Sequence, residues 1–180
     1  MTLAERVVAL HRALASAGIE HAFGGAIALA YWTSEPRGTR DIDLNVFASE
    51  ADPEPALAAL PEGVSQPRGT VGAIKRDGQI RLWWDKTPID LFFDNLPIHR
   101  DAARERRMVP FERVEIPVLG PLELAAFKAM FGRTRDWADI EEMLAAGSLS
   151  PEDLHAVIRE MVGPDDERHA RIDEAARRAG

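Results

Sequence analysis

The feature that most constrains this chain is a spacing of glycines and aspartates. Phe23-Gly24-Gly25 is followed by Asp41-Ile42-Asp43-Leu44 and, much later, by Pro88-Ile89-Asp90-Leu91-Phe92-Phe93. Successive side chains of a strand point to opposite faces, so Asp41 and Asp43 share one face while Ile42 and Leu44 share the other. Ile89-Asp90-Leu91 repeats the pattern, with one carboxylate out and two apolar groups in. Asp is a poor strand former, and two carboxylates at i and i+2 repel each other. A bound cation converts that repulsion into coordination. Magnesium takes oxygen ligands, usually one or two carboxylates with substrate phosphates and water. Two such ions clamp the attacking and leaving oxygens of an in-line displacement. The same alternation also describes the solvent face of an ordinary antiparallel strand. The glycine pair upstream and the third acidic strand downstream are what favour a metal site.

Ile19–Phe23 reads as a strand and Ala26–Trp32 as a short helix, so Gly24-Gly25 is the tight connection between them. The same geometry serves chemistry. Backbone N–H groups at a helix start face an incoming phosphate, with no Cβ in the way. The pair alone does not choose between these readings, but its position puts any phosphate cradle beside the Asp41 strand.

With 180 residues and an apolar fraction of 46%, the chain can bury a substantial core in one compact unit. It has no cysteine, which excludes a disulfide framework, a zinc–thiolate site and a thiol nucleophile. Thr2 and Glu5 form a capping box ahead of helically spaced Leu3, Val7, Leu10 and Leu14, so the start reads as a helix rather than a signal peptide. No apolar run is long enough to span a bilayer, and a cytoplasmic protein without a membrane partner is expected. Charge is uneven: −5 over residues 1–66, +4 over 67–135 and −7 over 136–180. A global anion is a poor general binder of nucleic acid. The basic middle, with Arg100, Arg104, Arg106, Arg107 and Arg113, is either a solvated face or a local patch for RNA.

The pattern predicts helices at 3–17, 26–33 and near 54–60, and strands at 19–23 and 41–47. Further strands are expected around 71–76, 80–84 and 88–94, with Asp77-Gly78 as a hairpin and Asp85-Lys86-Thr87 as a second turn. A polar helix near 99–107 and a strand near 112–117 follow, then helices at 121–131, 134–146, 151–162 and 165–178. Ser150-Pro151 supplies an N-cap with an N1 proline. Trp83-Trp84 straddles a strand, one ring inward and one outward. The five histidines show no ligand spacing and read as structural.

Taken together, the glycine pair, Arg37-Gly38-Thr39-Arg40-Asp41-Ile42-Asp43-Leu44 and Asp90 resemble the polymerase-β-type nucleotidyltransferase superfamily. Val118–Lys128 and Arg133-Thr134-Arg135-Asp136-Trp137-Ala138-Asp139-Ile140 are similar to the branch that includes AbiEii-type toxins of bacterial toxin–antitoxin and phage-defence systems. The resemblance covers residues 19 to 145. It departs in a longer gap between Gly25 and Asp41 than in many minimal members, where a Gly-Ser pair is also common.

The resemblance implies an α+β nucleotidyltransferase fold. A mixed β-sheet flanked by helices forms a catalytic core over residues 1–120, and a helical C-terminal tail over 121–180 packs on it. It implies transfer of a nucleoside monophosphate from a nucleoside triphosphate with two magnesium ions. Gly24 and Gly25 would hold the β- and γ-phosphates, with Arg37, Thr39 and Arg40 nearby. Asp41 and Asp43 would bridge the two ions, and Asp90 would complete the catalytic metal site and help deprotonate the acceptor hydroxyl. Lys128 would neutralise triphosphate or pyrophosphate charge. Asp136 and Asp139 would orient Lys128 or Arg133, or touch base or acceptor. The expected acceptor is a tRNA 3′ end or a protein hydroxyl, and a cognate antitoxin is a possible partner.

Plainer readings stand beside these. Lys128 fits a solvated position on its helix, Asp136 suits the first turn of the next, and Asp139 can pair with Arg135 at i,i+4. An aminoglycoside or lincosamide nucleotidyltransferase, or a non-catalytic nucleotide- or partner-binding module, are the alternatives in function.

Overall fold

The computed structural model describes residues 1–34 and 37–180. They fall into two compact units, Met1–Ile27 with Gly38–Leu119 and Ala28–Arg37 with Gly120–Gly180.

In the first unit, α1 (Leu3–Ser16) opens with the capping box read from the sequence. The Thr2 hydroxyl accepts from the Glu5 N–H, and the Glu5 carboxylate accepts from the Thr2 N–H at 2.8 Å. Val7, Leu10 and Leu14 are its buried stripe. The strands β1 (His21–Phe23), β2 (Ile42–Ser49), β3 (Val64–Ser65), β4 (Gln79–Trp84), β5 (Thr87–Asp94), β6 (Arg107–Phe111) and β7 (Val114–Val118) form one sheet, ordered β3-β4-β5-β2-β1-β7-β6. β2 runs parallel to β5 and β1 parallel to β7, while the other neighbours are antiparallel. The architecture is therefore α+β on a mixed sheet. Ile42, Leu44 and Val46 of β2 and Ile89, Leu91 and Phe93 of β5 are all buried, as a period of two demands of an inward face. The tryptophan pair splits as expected, Trp84 7% and Trp83 47% exposed.

Two local expectations fail. Residues 71–76 are not a strand but part of α4 (Thr70–Asp77), whose Thr70 and Ile74, one turn apart, are buried together. Asp77-Gly78 is accordingly not a hairpin. Gly78 ends the helix at φ 66°, and its N–H donates to the Ile74 carbonyl at 2.7 Å. A positive-φ glycine satisfies either role, and the buried Ile74 decided for the helix. The strand expected near 112–117 is present as β7, and its unexpected antiparallel partner β6 precedes it across a Glu112-Arg113 turn. Glu112 takes φ 52° there, a conformation that its type does not advertise. Two further short helices, α3 (Glu54–Ala58) and α5 (Ile98–Glu105), complete this unit.

α2 (Gly25–Trp32) begins in the first unit and ends in the second. The second unit also holds α6 (Pro121–Phe131), α7 (Thr134–Ala145), α8 (Pro151–Val162) and α9 (Arg168–Ala179). The α9 start follows the sequence expectation by three residues. Ser150 caps α8 by accepting from the Asp153 N–H, with Pro151 in the first turn. Leu124, Ala129, Ile140, Met143, Leu154, Ile158 and Ile172 are buried here. No described helix is long and apolar enough to cross a membrane.

Candidate active site

Strand register builds the first constellation. In the parallel pairing of β2 with β5, Asp43 stands directly beside Asp90. In the antiparallel pairing of β5 with β4, Asp90 stands opposite Arg81. On the other flank of β2, the Gly24 N–H donates to the Asp43 carbonyl at 2.9 Å. The row across the sheet is thus Arg81, Asp90, Asp43, Gly24. Asp41 lies just before β2, where the Thr39 hydroxyl accepts from the Asp41 N–H at 3.2 Å and shapes the approach to the strand.

Close packing against this row requires a glycine at position 25 and favours one at 24. Gly25 adopts φ 50°, and a Cβ there would lie 1.8 Å from Asp43 Oδ2. A Cβ on Gly24 would come within 3.0 Å of Asn45 Nδ2 and 3.2 Å of Leu119 Cδ1. The Gly24 amide is spent on the sheet. The first-turn amides of α2, beginning at Gly25, are those that lack an intrahelical partner. The turn therefore lays a helix N-terminus directly against the Asp43 carboxylate, a place where a bare carboxylate and a phosphate would compete unless cations intervene.

Arg81 is the component that sequence reasoning missed. Its Nε and Nη2 donate to the two oxygens of Asp90, each at 2.7 Å, and Nη2 also lies 3.8 Å from Asp41. The hydrogen bonds to Asp90 raise its pKa above the ordinary arginine value despite opposing desolvation, with the charges of Asp90, Asp41 and Asp43 adding to the rise. A signal existed. The β4–β5 turn is Asp85-Lys86, with Trp84 paired to Thr87. A two-residue turn sets the register that puts Arg81 opposite Asp90, whereas the three-residue turn read from the sequence slips it by one and flips the face.

An all-oxygen set of carboxylates fits a hard divalent ion, and a guanidinium already holds a cationic place between two of them. Among the described residues, no three side chains of metal-ligating type converge closely enough to share one ion.

The second constellation lies in the second unit. Lys128 of α6 is buried, 6% exposed, and its Nζ donates to Asp139 Oδ2 at 2.5 Å and lies 3.8 Å from Asp136 Oδ1. Arg37 donates to both oxygens of Asp139, at 3.1 and 2.9 Å. Asp136 accepts from the Arg133 N–H at 3.2 Å and from Arg133 Nε at 2.6 Å. Burial by itself raises the Asp139 pKa, but hydrogen bonds from Arg37 and Lys128, with their charges, outweigh it and hold the carboxyl below its usual value. The plain readings fail for Lys128, which is not solvated, and for Asp139, which is buried against Arg37 and Lys128 rather than on an exposed face with Arg135, while Asp136 does sit in the first turn of α7. Three cations here meet two carboxylates. Arg40 is exposed beside Asp41.

Of the basic middle segment, Arg104 pairs with Asp101 and Glu105, Arg106 with Glu20, and Arg107 with Glu105. Arg104 and Arg107 are met by acids within three residues, and Arg106 by Glu20, 86 positions away in the chain, so the cluster is answered by acids as on a solvated face.

A family model described as nucleotidyl transferase AbiEii toxin, type IV toxin–antitoxin system, matches residues 8–179. The chain belongs to the AbiEii family. It is thus a nucleotidyltransferase of toxin–antitoxin type. Among solved structures, the antibiotic-resistance factor ANT(2'')-Ia, studied in solution, superposes with a TM-score of 0.62 at 13% identity, covering 95% of each chain. That likeness shows that this AbiEii chain carries a nucleotidyltransferase fold. An antigenic nucleotidyltransferase-like protein from Paracoccidioides brasiliensis matches at TM-score 0.49 and 14% identity, covering 97% of this chain and 92% of that one. None of the curated proteins matches the sequence.

Proposed function

We propose that this AbiEii-family enzyme transfers a nucleoside monophosphate from a nucleoside triphosphate to a hydroxyl of a macromolecule, the 3′ end of a tRNA before a protein side chain. The observation that carries the reading is the register-fixed row of Asp90, Asp43 and the Gly24-Gly25 turn, with Asp41 on the same guanidinium.

Asp41, Asp43 and Asp90 are the residues that would hold two magnesium ions. Those ions would polarise the phosphoryl group and acidify the acceptor hydroxyl. Asp90 would help to take the acceptor proton. The first-turn amides of α2 would meet the polyphosphate oxygens, with Thr39 and Arg40 on the segment leading to Asp41. Lys128 is the cation proposed for the pyrophosphate, with Asp136, Asp139, Arg37 and Arg133 orienting it. The rest of catalysis is alignment and charge complementarity around an in-line phosphorus centre.

Trp83 supports a nucleic-acid acceptor over a protein. It alternates with Arg81 on β4, so its half-exposed ring shares the sheet face of Arg81 and Asp90. An open indole there offers a stacking surface for a terminal base. The type IV toxin–antitoxin assignment makes a cognate antitoxin the expected genetic partner.

Incubation with each labelled nucleoside triphosphate, magnesium, and separated RNA and protein fractions tests the reading. Label in RNA that disappears with Asp41→Asn/Asp43→Asn supports it. Label in protein moves the acceptor to a side-chain hydroxyl. Drug resistance on expression, with no labelled macromolecule, moves it to a small molecule.

A further inference from the structure

We propose that Arg81 is the resident counter-cation of the carboxylate row, and that a divalent ion reaches Asp90 by displacing it. The inference rests on the metal role proposed above for Asp41, Asp43 and Asp90. It assigns to Arg81 a positioning function exerted through Asp90.

Register obliges Arg81 to face Asp90, because the two are direct cross-strand partners and therefore lie on one face. The guanidinium fork takes both Asp90 oxygens at 2.7 Å and reaches toward Asp41 at 3.8 Å. Those contacts occupy the oxygens that a metal at Asp90 would use. They also account for the carboxylates failing to converge: a planar group several ångströms wide stands between two of them, where a small ion would draw them together. The latch is one that can open. The Arg81 side chain is 51% exposed against 19% for Asp90, so its head can move into water while Asp90 stays in the sheet. A bidentate pair lies at the strong end for a half-exposed ion pair, and a dication displaces it by coordinating Asp90 directly together with the neighbouring carboxylates. Once released, a guanidinium beside bound metal suits the oxygens of a phosphate chain.

Manganese binding to the full chain, without nucleotide and at low ionic strength, is the test, read by electron paramagnetic resonance titration. Arg81→Gln keeps side-chain length and removes the charge, and it is expected to bind Mn²⁺ about tenfold more tightly than the wild type. Arg81→Lys keeps a charge without the fork and is expected to fall between the two. In EDTA, Arg81→Gln melts lower than the wild type, and Mn²⁺ restores it. A merely structural arginine predicts the opposite sign, a folded variant that binds metal equally or less well. That result overturns the displacement and leaves the metal site standing. No Mn²⁺ bound by either wild type or variant overturns both.

Discussion

The two constellations differ in how their charges are settled. On the sheet of the first unit, Asp41 and Asp90 meet the guanidinium of Arg81 with Asp43 beside them, and Asp41 and Arg81 are about half exposed. In the second unit, Lys128, Asp136 and Asp139 are all nearly inaccessible, and each has at least two charged partners. An exposed excess of negative charge tolerates loss of its members, because water screens what remains and repulsion falls. A buried network does not, because removing one ion strands another in low dielectric. The first arrangement is suited to receiving cations and the second to holding a geometry.

Substitution should separate the two most sharply at the extremes. Asp41→Asn/Asp43→Asn is expected to lower nucleotidyl transfer by at least about a thousandfold, while the apo protein melts no lower than wild type. A large drop in melting temperature would make these aspartates structural and erase the contrast. Lys128→Ala should do the reverse in stability, costing up to about 3–5 kcal/mol in denaturant titrations by removing the buried ammonium that Asp136 and Asp139 share and leaving them only the more exposed Arg133 and Arg37. A loss below about 1 kcal/mol would show that water already reaches the network.

Acid sensitivity sharpens the comparison from another side. In the first unit, His21 Nδ1–H donates to the Ile19 carbonyl at 2.8 Å, so Nε2 must accept from His11 at 3.0 Å. Burial above all, despite that backbone hydrogen bond and aided by the charges of His11 and Arg106, lowers the His21 pKa to about 4. The unfolded chain takes up this proton near pH 6.5 and the folded one near pH 4. The stability contribution is therefore complete above pH 6.5 and lost as pH falls to 4, on the order of 3 kcal/mol. His21→Gln should flatten that slope in urea melts taken from pH 7 to 4. An unchanged slope would move the acid sensitivity to other groups. At the small end, Arg133 is 71% exposed although its partner Asp136 is buried. Arg133→Ala should cost no more than about 1 kcal/mol, since Lys128 and the α7 N-terminus still face that carboxylate; a larger loss would make the guanidinium an integral member of the network.

Much of this was legible from residue order. The capping box at Thr2, the inward faces of β2 and β5 and the serine cap of α8 are local, and local rules found them. Register was not legible where it hung on one turn residue: the Asp85-Lys86 turn decides whether Arg81 or Leu82 faces Asp90. Nor was the destination of Arg37, which lies 102 positions from Asp139. The histidines taught the same lesson. Without ligand spacing in sequence, His11 pairs with His21 and His155 with His169 at 2.8 Å, because turns between the elements bring the rings together.

The sequence by itself determined the alternation that puts Asp43 and Asp90 on the face opposite Ile42, Leu44, Ile89 and Leu91, and the glycine that the positive φ beside Asp43 requires. These follow from the period of a strand and the absence of a Cβ. Only the tertiary structure decided which charge answers which. Pairing across strands and helices depends on register and on elements far apart in the chain, and it left one carboxylate row open around Arg81 while it sealed Lys128 between two buried aspartates.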